Sequence, residues 1–371
     1  MERRVAARDI SSLVALAVLM AAFGLMSPEF LAPRHLAMLS IKLSTTAVLA
    51  LGMFLVILCG HIDLSAGSGV GLVGGIASVL VFKQHWPAPA AMAAAALVGV
   101  AAWTAMGALV VRQKMPAFII TLGGLLMFKG LFWMVIKNST VPIVAGGGTN
   151  LYSMLTTYYL PPAAGWALGA AALALLAFAL RGRLVGTPEE REMALLELFA
   201  VGQALALFIL LMNRYRGIPL PVLILAAATA VVVTLAERTP FGRHLYAIGG
   251  NEEAAALSGV PVDARVIAAF GLMGAIVAVT GFMQTAYSGA STTTVGELME
   301  LDAVAACVIG GTSLKGGRGS ALRVLVGSLI MAVLLNGMTL MAVSPEVKLV
   351  ARGLVLTLAV WLDTKLGANS R

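Results

Sequence analysis

Long apolar stretches alternate with short polar ones along almost the whole chain. A helix needs about 20 apolar residues to cross a bilayer, and eleven stretches approach that length: 11–31, 43–60, 64–82, 89–111, 117–136, 162–180, 194–212, 219–236, 266–287, 321–342 and 346–362. A twelfth stretch, 298–314, is shorter and interrupted. The pattern predicts an all-α polytopic integral membrane protein, with about 10–12 transmembrane helices and discontinuous segments in a single domain over 1–371.

Composition agrees with this pattern and excludes an ordinary soluble domain. Hydrophobic residues make up 60% of the 371 positions and charged residues only 11%, against about 25% charged in soluble domains. The 40 glycines suit helices that pack closely in lipid. The net charge of +8 is scattered between apolar stretches rather than gathered on one face. We therefore expect the lipid bilayer, and no nucleic acid, as a partner.

The basic residues predict an orientation. With twelve crossings, sixteen Lys and Arg residues fall on one side and eight on the other, while Lys129 falls within a span. The side richer in Lys and Arg is the cytoplasmic one. Both termini and the polar segment 237–265 are therefore predicted to be cytoplasmic.

Segment 237–265 carries seven charged side chains in 29 positions between two apolar stretches. Asn251 can cap a helix, the acids after it suit the first turn, and Gly259 and Pro261 can end it. A short helix outside the membrane is predicted here. It can be a docking element for a partner or only a solvated connector.

Asp63 stands at the start of an apolar run, where a charge costs roughly 2.5–3.5 kcal/mol unless it is partnered. It can cap the following helix or bind a ligand directly, and both roles stay open. The sequence "VIGGTSLKGG" interrupts another apolar run with four glycines. Such a backbone is tolerated where it is shielded by protein or lines a watery cavity. It is therefore a candidate lining of a pathway.

The chain lacks the motifs of several enzyme classes. It has no G-x-x-x-x-G-K-[ST] phosphate loop, no H-E-x-x-H and no G-x-S-x-G serine elbow. Cys59 and Cys307 lie within apolar runs and indicate neither a disulfide nor a metal cluster. We predict no catalytic residue, no metal and no cofactor, so any ATP hydrolysis has to come from another polypeptide.

Several stretches of the chain resemble the permease subunit of bacterial monosaccharide ABC importers. They are "GHIDLSAGSGVGLVGG", "MPAFIITLGGLLMFKG", "TPFGRHLYAIGGNEEAAALSGV", "ELDAVAACVIGGTSLKGGRGS", "NGM" and "AVWLD". The two extra spans near 162–212 and "RGIPLPVLIL" are similar to the xylose-type branch. The resemblance implies a permease fold like that of type II ABC importers in the bacterial inner membrane, for D-xylose or a related pentose or hexose.

The same resemblance implies partners and sites. The partners are an ABC ATPase subunit, a periplasmic sugar-binding protein and a second copy of the permease, because two ATPase domains need two docking surfaces and the chain offers one. The residues implied for coupling to the ATPase are Gly249, Gly250, Asn251, Glu252, Glu253, Ala254, Ala255 and Gly259. The candidate pathway residues are Asp63, Ser65, Ser68, Phe118, Thr121, Asp302, Thr312, Ser313 and Asn336.

Two other functions stay open. A self-sufficient secondary transporter needs ionisable groups inside the membrane for ion coupling. The candidates near such positions are Asp63, Lys129, Glu297, Glu300 and Asp302. An ABC permease for another small solute, such as branched-chain amino acids, is the other alternative, whereas an intramembrane enzyme lacks its catalytic group.

Overall fold

The computed structural model describes residues 2–144 and 150–368, with the side chains of 2–11, 362–363 and 366–368 left out. The ends of the predicted domain, Met1 and 369–371, lie outside this range. The described chain forms sixteen α-helices: α1 Glu2–Met26, α2 Pro33–Leu58, α3 Ala66–Phe82, α4 Ala88–Arg112, α5 Ala117–Ile136, α6 Leu151–Thr157, α7 Pro162–Ala179, α8 Arg181–Leu184, α9 Pro188–Asn213, α10 Leu220–Val233, α11 Pro240–Gly250, α12 Glu252–Leu257, α13 Val262–Ser288, α14 Met299–Ile309, α15 Ala321–Leu340 and α16 Pro345–Ala368.

Eight helical segments in the described part of the chain are long and apolar enough to cross a membrane. They are α2, α4, α5, α7, α9, α13, α15 and the continuous Leu220–Arg238, in which α10 ends in a π-helical turn. The apolar part of α1, Ser12–Met26, and α3 are shorter apolar helices. The prediction of an all-α polytopic membrane protein is confirmed.

Two spans begin earlier than their apolar stretches indicate. Helix α2 begins at Pro33 rather than near 43, because its polar first half is partnered inside the bundle: His35 contacts Asn336 at 3.1 Å. Helix α9 begins at Pro188 rather than at 194. There Thr187 and Glu190 form a capping box, which starts the helix in a polar turn that a hydropathy window passes over.

Helix α2 lies at the centre of the bundle and is buried along nearly its whole length. It packs against α10, α13, α14 and α15, while α13 also packs against α3 and α4. Helices α7 and α9 pair mainly with each other and keep most of their residues exposed. The core therefore consists of α2 and its neighbours, with the α7–α9 pair at the periphery.

The connections of α13 define the two ends of the bundle. It begins just after α12 and ends at Ser288, next to a short antiparallel ribbon of β1 Val141–Pro142 and β2 Ala290–Ser291. We call these the α12 end and the ribbon end. From the ribbon, segment 292–298 returns into the bundle, where a Cβ added at Gly67 of α3 would lie 2.5 Å from the Gly296 carbonyl oxygen. The stretch 298–314 is therefore a half-length helix, α14, followed by a loop.

Candidate functional site

Helix α12 is a short exposed helix at one end of the bundle, as the sequence predicts. The Asn251 side chain caps it, because its Oδ1 accepts a hydrogen bond from the Ala254 amide at 2.9 Å. Ala255 packs inward, whereas Glu252, Glu253 and Ala254 are exposed. The outward surface of α12 is therefore acidic and unobstructed.

The chain turns sharply directly after α12. Gly259 adopts a φ of +81°, in the left-handed region, and a Cβ there would meet no atom within 4 Å. Because a side chain resists this φ by about 1–2 kcal/mol, glycine is needed for the backbone conformation and not for space. The turn then leads through Pro261 into α13.

The preceding helix, α11, connects this protrusion to two loops of the bundle. The end of α11 packs closely on both, since a Cβ at Gly249 would overlap the carbonyl oxygen of Leu58, at the end of α2, and the backbone of Gly317. The Gly317 amide donates to that same Leu58 oxygen at 3.0 Å. The Tyr246 hydroxyl donates to the Gly319 carbonyl at 3.0 Å. Helix α11 is therefore in direct contact with segments 58–65 and 310–320.

Asp63 is fully buried between α2 and α3, and both of its carboxylate oxygens are occupied. Oδ1 accepts from the Ser65 amide at 2.8 Å and from the Ser65 hydroxyl at 2.5 Å. Oδ2 accepts from the Trp103 indole Nε1 at 2.6 Å. This geometry orients the start of α3 and leaves no carboxylate oxygen directed into a cavity.

The other predicted pathway residues are distributed over several places. Phe118 is exposed on α5, whereas Thr121 is buried and its hydroxyl lies 3.2 Å from the Ile62 carbonyl oxygen. Thr312 and Ser313 are buried in the loop after α14. Asn336 contacts His35 across α15 and α2. These residues do not converge on one pocket.

Asp302 forms an ion pair inside the bundle. Its Oδ1 lies 3.0 Å from Arg352 Nε, and its Oδ2 accepts from Arg352 Nη2 at 3.1 Å. Both residues line a cavity of about 120 Å³ between α14, α15 and α16. This contact joins α14 to α16.

A second cavity, of about 180 Å³, collects polar residues that the pathway prediction left out. It lies between α3, α5 and segment 292–300, and its polar lining consists of Ser68, Lys129, Thr293, Glu297 and Glu300. Ser68 alone was predicted for the pathway. The sequence did carry a signal for this cavity, because Lys129 lies within an apolar span and Glu297 and Glu300 lie at the start of another. Only the fold brings these three residues together.

No group of three or more His, Cys, Asp or Glu side chains among the described residues is placed to hold a metal ion. The structure is that of a polytopic α-helical membrane protein, with polar groups inside its bundle and an exposed helix at one end.

Comparison with known proteins then identifies the family. The model of the family described as "Branched-chain amino acid transport system / permease component" matches residues 35–360. The chain is 39% identical over 363 residues to the xylose transport system permease protein XylH of Haemophilus influenzae, covering 95% of each protein. It is 38% identical over 341 residues to XylH of Escherichia coli strain K12, covering 90% of this chain and 86% of that protein.

A more distant relative is the ribose import permease protein RbsC of Escherichia coli strain K12, which is 31% identical over 354 residues, covering 95% of this chain and 93% of that protein. No solved structure matches. The chain belongs to the branched-chain amino acid transport system / permease component family.

Proposed function

We propose that this chain is the membrane-spanning permease subunit of an ABC importer for a monosaccharide, D-xylose or a related pentose or hexose. A periplasmic binding protein delivers the sugar, and a separate ATPase subunit supplies the energy. The observation that carries this proposal is the exposed helix α12, held on α11 against the loops at the end of α2 and after α14. The two kinds of sugar permease among the relatives support the substrate class.

Helix α12 is proposed to dock on the ATPase. Its exposed first turn is acidic, at Glu252 and Glu253, and suits basic residues in a groove of the partner. Leu257, at the other end of the helix, is 85% exposed and suits an apolar patch in the same groove. Movement of the ATPase then passes through α11 to segments 58–65 and 310–320. These two segments hold Asp63 and Thr312.

The test replaces Gly259 by leucine, which destabilises the left-handed turn and displaces α12 from its seat. We expect sugar uptake and binding-protein-stimulated ATP hydrolysis to fall about five- to thirtyfold, because a strain of about 1–2 kcal/mol is added at the docking element. ATP binding persists, since the nucleotide site is on the other subunit. Both rates are measured in reconstituted membranes, with insertion verified.

Gly182→Ala on α8 is the control, because a Cβ at Gly182 meets no atom within 4 Å, its φ is not positive and it lies outside the coupling residues. This variant is expected to behave like the wild type. Wild-type uptake and ATP hydrolysis in Gly259→Leu would mean that the segment is only a solvated connector.

We propose a homodimer, and the outward face of α5 supports it. This face is apolar over much of its length but carries the exposed ion pair of Lys129 and Glu297, whose Nζ and Oε1 atoms are 3.4 Å apart. Lys129 lies about 18 Å from the start of the helix and about 10 Å from its end. Because hydrocarbon does not accommodate such a pair, we infer that this face borders a second copy and a water-filled path.

Native mass spectrometry of the complex in detergent tests this assembly. We expect a mass equal to two copies of this permease with their ATPase subunits. An active complex that contains one permease and one ATPase domain would refute the homodimer.

The inner membrane is the proposed location, with the α12 end in the cytoplasm. A cysteine at Leu257, labelled with a membrane-impermeant thiol reagent, tests this orientation because Cys59 and Cys307 are buried. Labelling is expected in inside-out vesicles and not in intact spheroplasts. The reverse pattern would place α12 outside.

The substrate is tested in cells that lack this chain. Loss of labelled xylose uptake, with labelled leucine uptake unchanged, is the expected result. The opposite result would favour a branched-chain amino acid permease.

A further inference from the structure

The cavity between α3, α5 and segment 292–300 brings charged groups together beside the apolar helix α5. Its polar lining is Ser68 on α3, Lys129 on α5, and Thr293, Glu297 and Glu300 from the returning segment and the start of α14. Apolar lining comes from residues such as Phe132. A small number of convergent polar groups in an otherwise apolar concavity is the usual form of a small-molecule site.

Glu300 is the most buried charged group of this cavity, with 6% of its surface exposed. No cation lies within 4 Å of its carboxylate among the described side chains. Its position is enforced by close packing, because a Cβ at Gly67 would overlap the Glu300 carboxylate. An ionisable group at this depth without a cation partner marks a ligand or ion pathway.

Two contacts join α5 to the segment that forms the other wall. Lys129 Nζ lies 3.4 Å from Glu297 Oε1, and Trp133 Nε1 donates to the Thr293 carbonyl at 3.3 Å. Both distances exceed the 2.9–3.0 Å typical of such bonds. The ion pair is also half exposed, so it is weakly held. The contacts of segment 292–300 with α5 are therefore weaker than its close packing against α3.

We propose that this cavity is a monosaccharide-binding subsite of the translocation path and that the Lys129–Glu297 ion pair is its gate. Sugar hydroxyls donate hydrogen bonds to the carboxylates of Glu300 and Glu297, which can only accept. They accept hydrogen bonds from the Lys129 ammonium, which can only donate. Leu125 and Val295 contribute to the apolar part of the lining. This inference rests on the proposed import of a monosaccharide and assigns the sugar a binding position within the protein.

The first experiment measures sugar imported per ATP hydrolysed in reconstituted membranes with loaded binding protein. For Glu300→Gln and Lys129→Met we expect uptake to fall about tenfold, the value of one hydrogen bond to a charged group. Binding-protein-stimulated ATP hydrolysis stays at the wild-type rate, because α11 and α12 are untouched. Glu197→Gln, which removes a carboxylate from an exposed pair with Arg183 on α8 and α9, is the control and changes neither rate.

The gate is tested by exchanging the two charges. Lys129→Glu and Glu297→Lys are each expected to lose uptake about tenfold, and the double variant is expected to regain most of it. A double variant no better than either single variant would overturn the gate.

A binding measurement keeps the proposal independent of folding defects. In the detergent-solubilised complex, Ser68→Cys is labelled with a water-soluble thiol reagent, while Cys59 and Cys307 are buried. Saturating xylose is expected to slow labelling at 68 and to leave labelling of Leu257→Cys unchanged. Equal labelling with and without sugar, or wild-type uptake in Glu300→Gln, would overturn the subsite. Absence of sugar uptake by the wild-type complex would instead overturn the proposed importer itself.

Discussion

Segment 58–65 and segment 292–300 each place a carboxylate inside the apolar bundle at the start of a helix, and they treat it differently. Asp63 receives three hydrogen bonds from Ser65 and Trp103 and is completely enclosed. Glu300 lines a cavity and has no cation within 4 Å among the described side chains. A carboxylate in an apolar span therefore indicates a binding site only when buried donors do not already occupy its oxygens.

The two segments also differ in what holds them. Segment 58–65 is fixed from the α12 end, where Gly317 and Gly249 lie against Leu58. Segment 292–300 packs closely on Gly67 of α3, but its contacts with α5, through Glu297 and Thr293, are long. We therefore expect substitutions in the first segment to act on folding and substitutions in the second to act on transport.

The largest effect is expected for Asp63→Ala. It leaves the Trp103 indole and both Ser65 donors without their acceptor in a dry interior, at about 1–3 kcal/mol for each unsatisfied group. We expect a clear drop in the midpoint of thermal unfolding in detergent and loss of uptake in proportion to the lost folded protein. Light-scattering-monitored unfolding and membrane abundance are the measurements.

Asp63→Asn sharpens this test because it keeps one acceptor oxygen and removes the other. An intermediate midpoint is expected. Wild-type stability of Asp63→Ala together with lost uptake would instead give Asp63 a direct role in the pathway, and the contrast with Glu300 would disappear.

The second effect concerns the contact between α3 and segment 292–300. In Gly67→Ala the new Cβ overlaps the Glu300 carboxylate and lies 2.5 Å from the Gly296 carbonyl oxygen, so both the Glu300 side chain and the backbone of the cavity wall have to move. We expect sugar uptake to fall at least about tenfold, with overpacking costing about 1–3 kcal/mol of stability. Uptake is compared at equal membrane abundance.

Gly123→Ala on α5 is the matched control, since a Cβ there meets no atom within 4 Å. It is expected to retain wild-type uptake. Equal uptake in both variants would show that the position of segment 292–300 does not matter for transport.

The smallest effect is expected for Arg183→Ala. Its guanidinium lies 3.1 Å from Glu197 Oε2, and both side chains are more than 40% exposed at the periphery. Such a pair contributes less than about 1 kcal/mol. The unfolding midpoint and uptake should stay near the wild type, and a large loss of either would mean that the α7–α9 pair takes part in transport.

Much of the fold follows from the sequence alone. The bounds of α5 coincide with the apolar stretch 117–136, and α12 begins directly after its N-cap Asn251 and ends before Gly259, as its capping and turn residues predict. These features are local, because hydropathy over one helix and the chemistry of one cap do not depend on distant residues. The same local reasoning misplaced the start of α2, whose polar residues are partnered by α15.

The partners of the buried charges were decided by tertiary structure. Asp63 meets Trp103, Asp302 meets Arg352, and Glu300 shares a cavity with Lys129, across separations of 40 to 171 positions that no spacing rule connects. In sequence, each of these acids is simply a carboxylate near an apolar run. Only the packing of helices determines whether a charge is enclosed by donors, paired with a cation or open to a cavity, because these energies depend on distance and access to water.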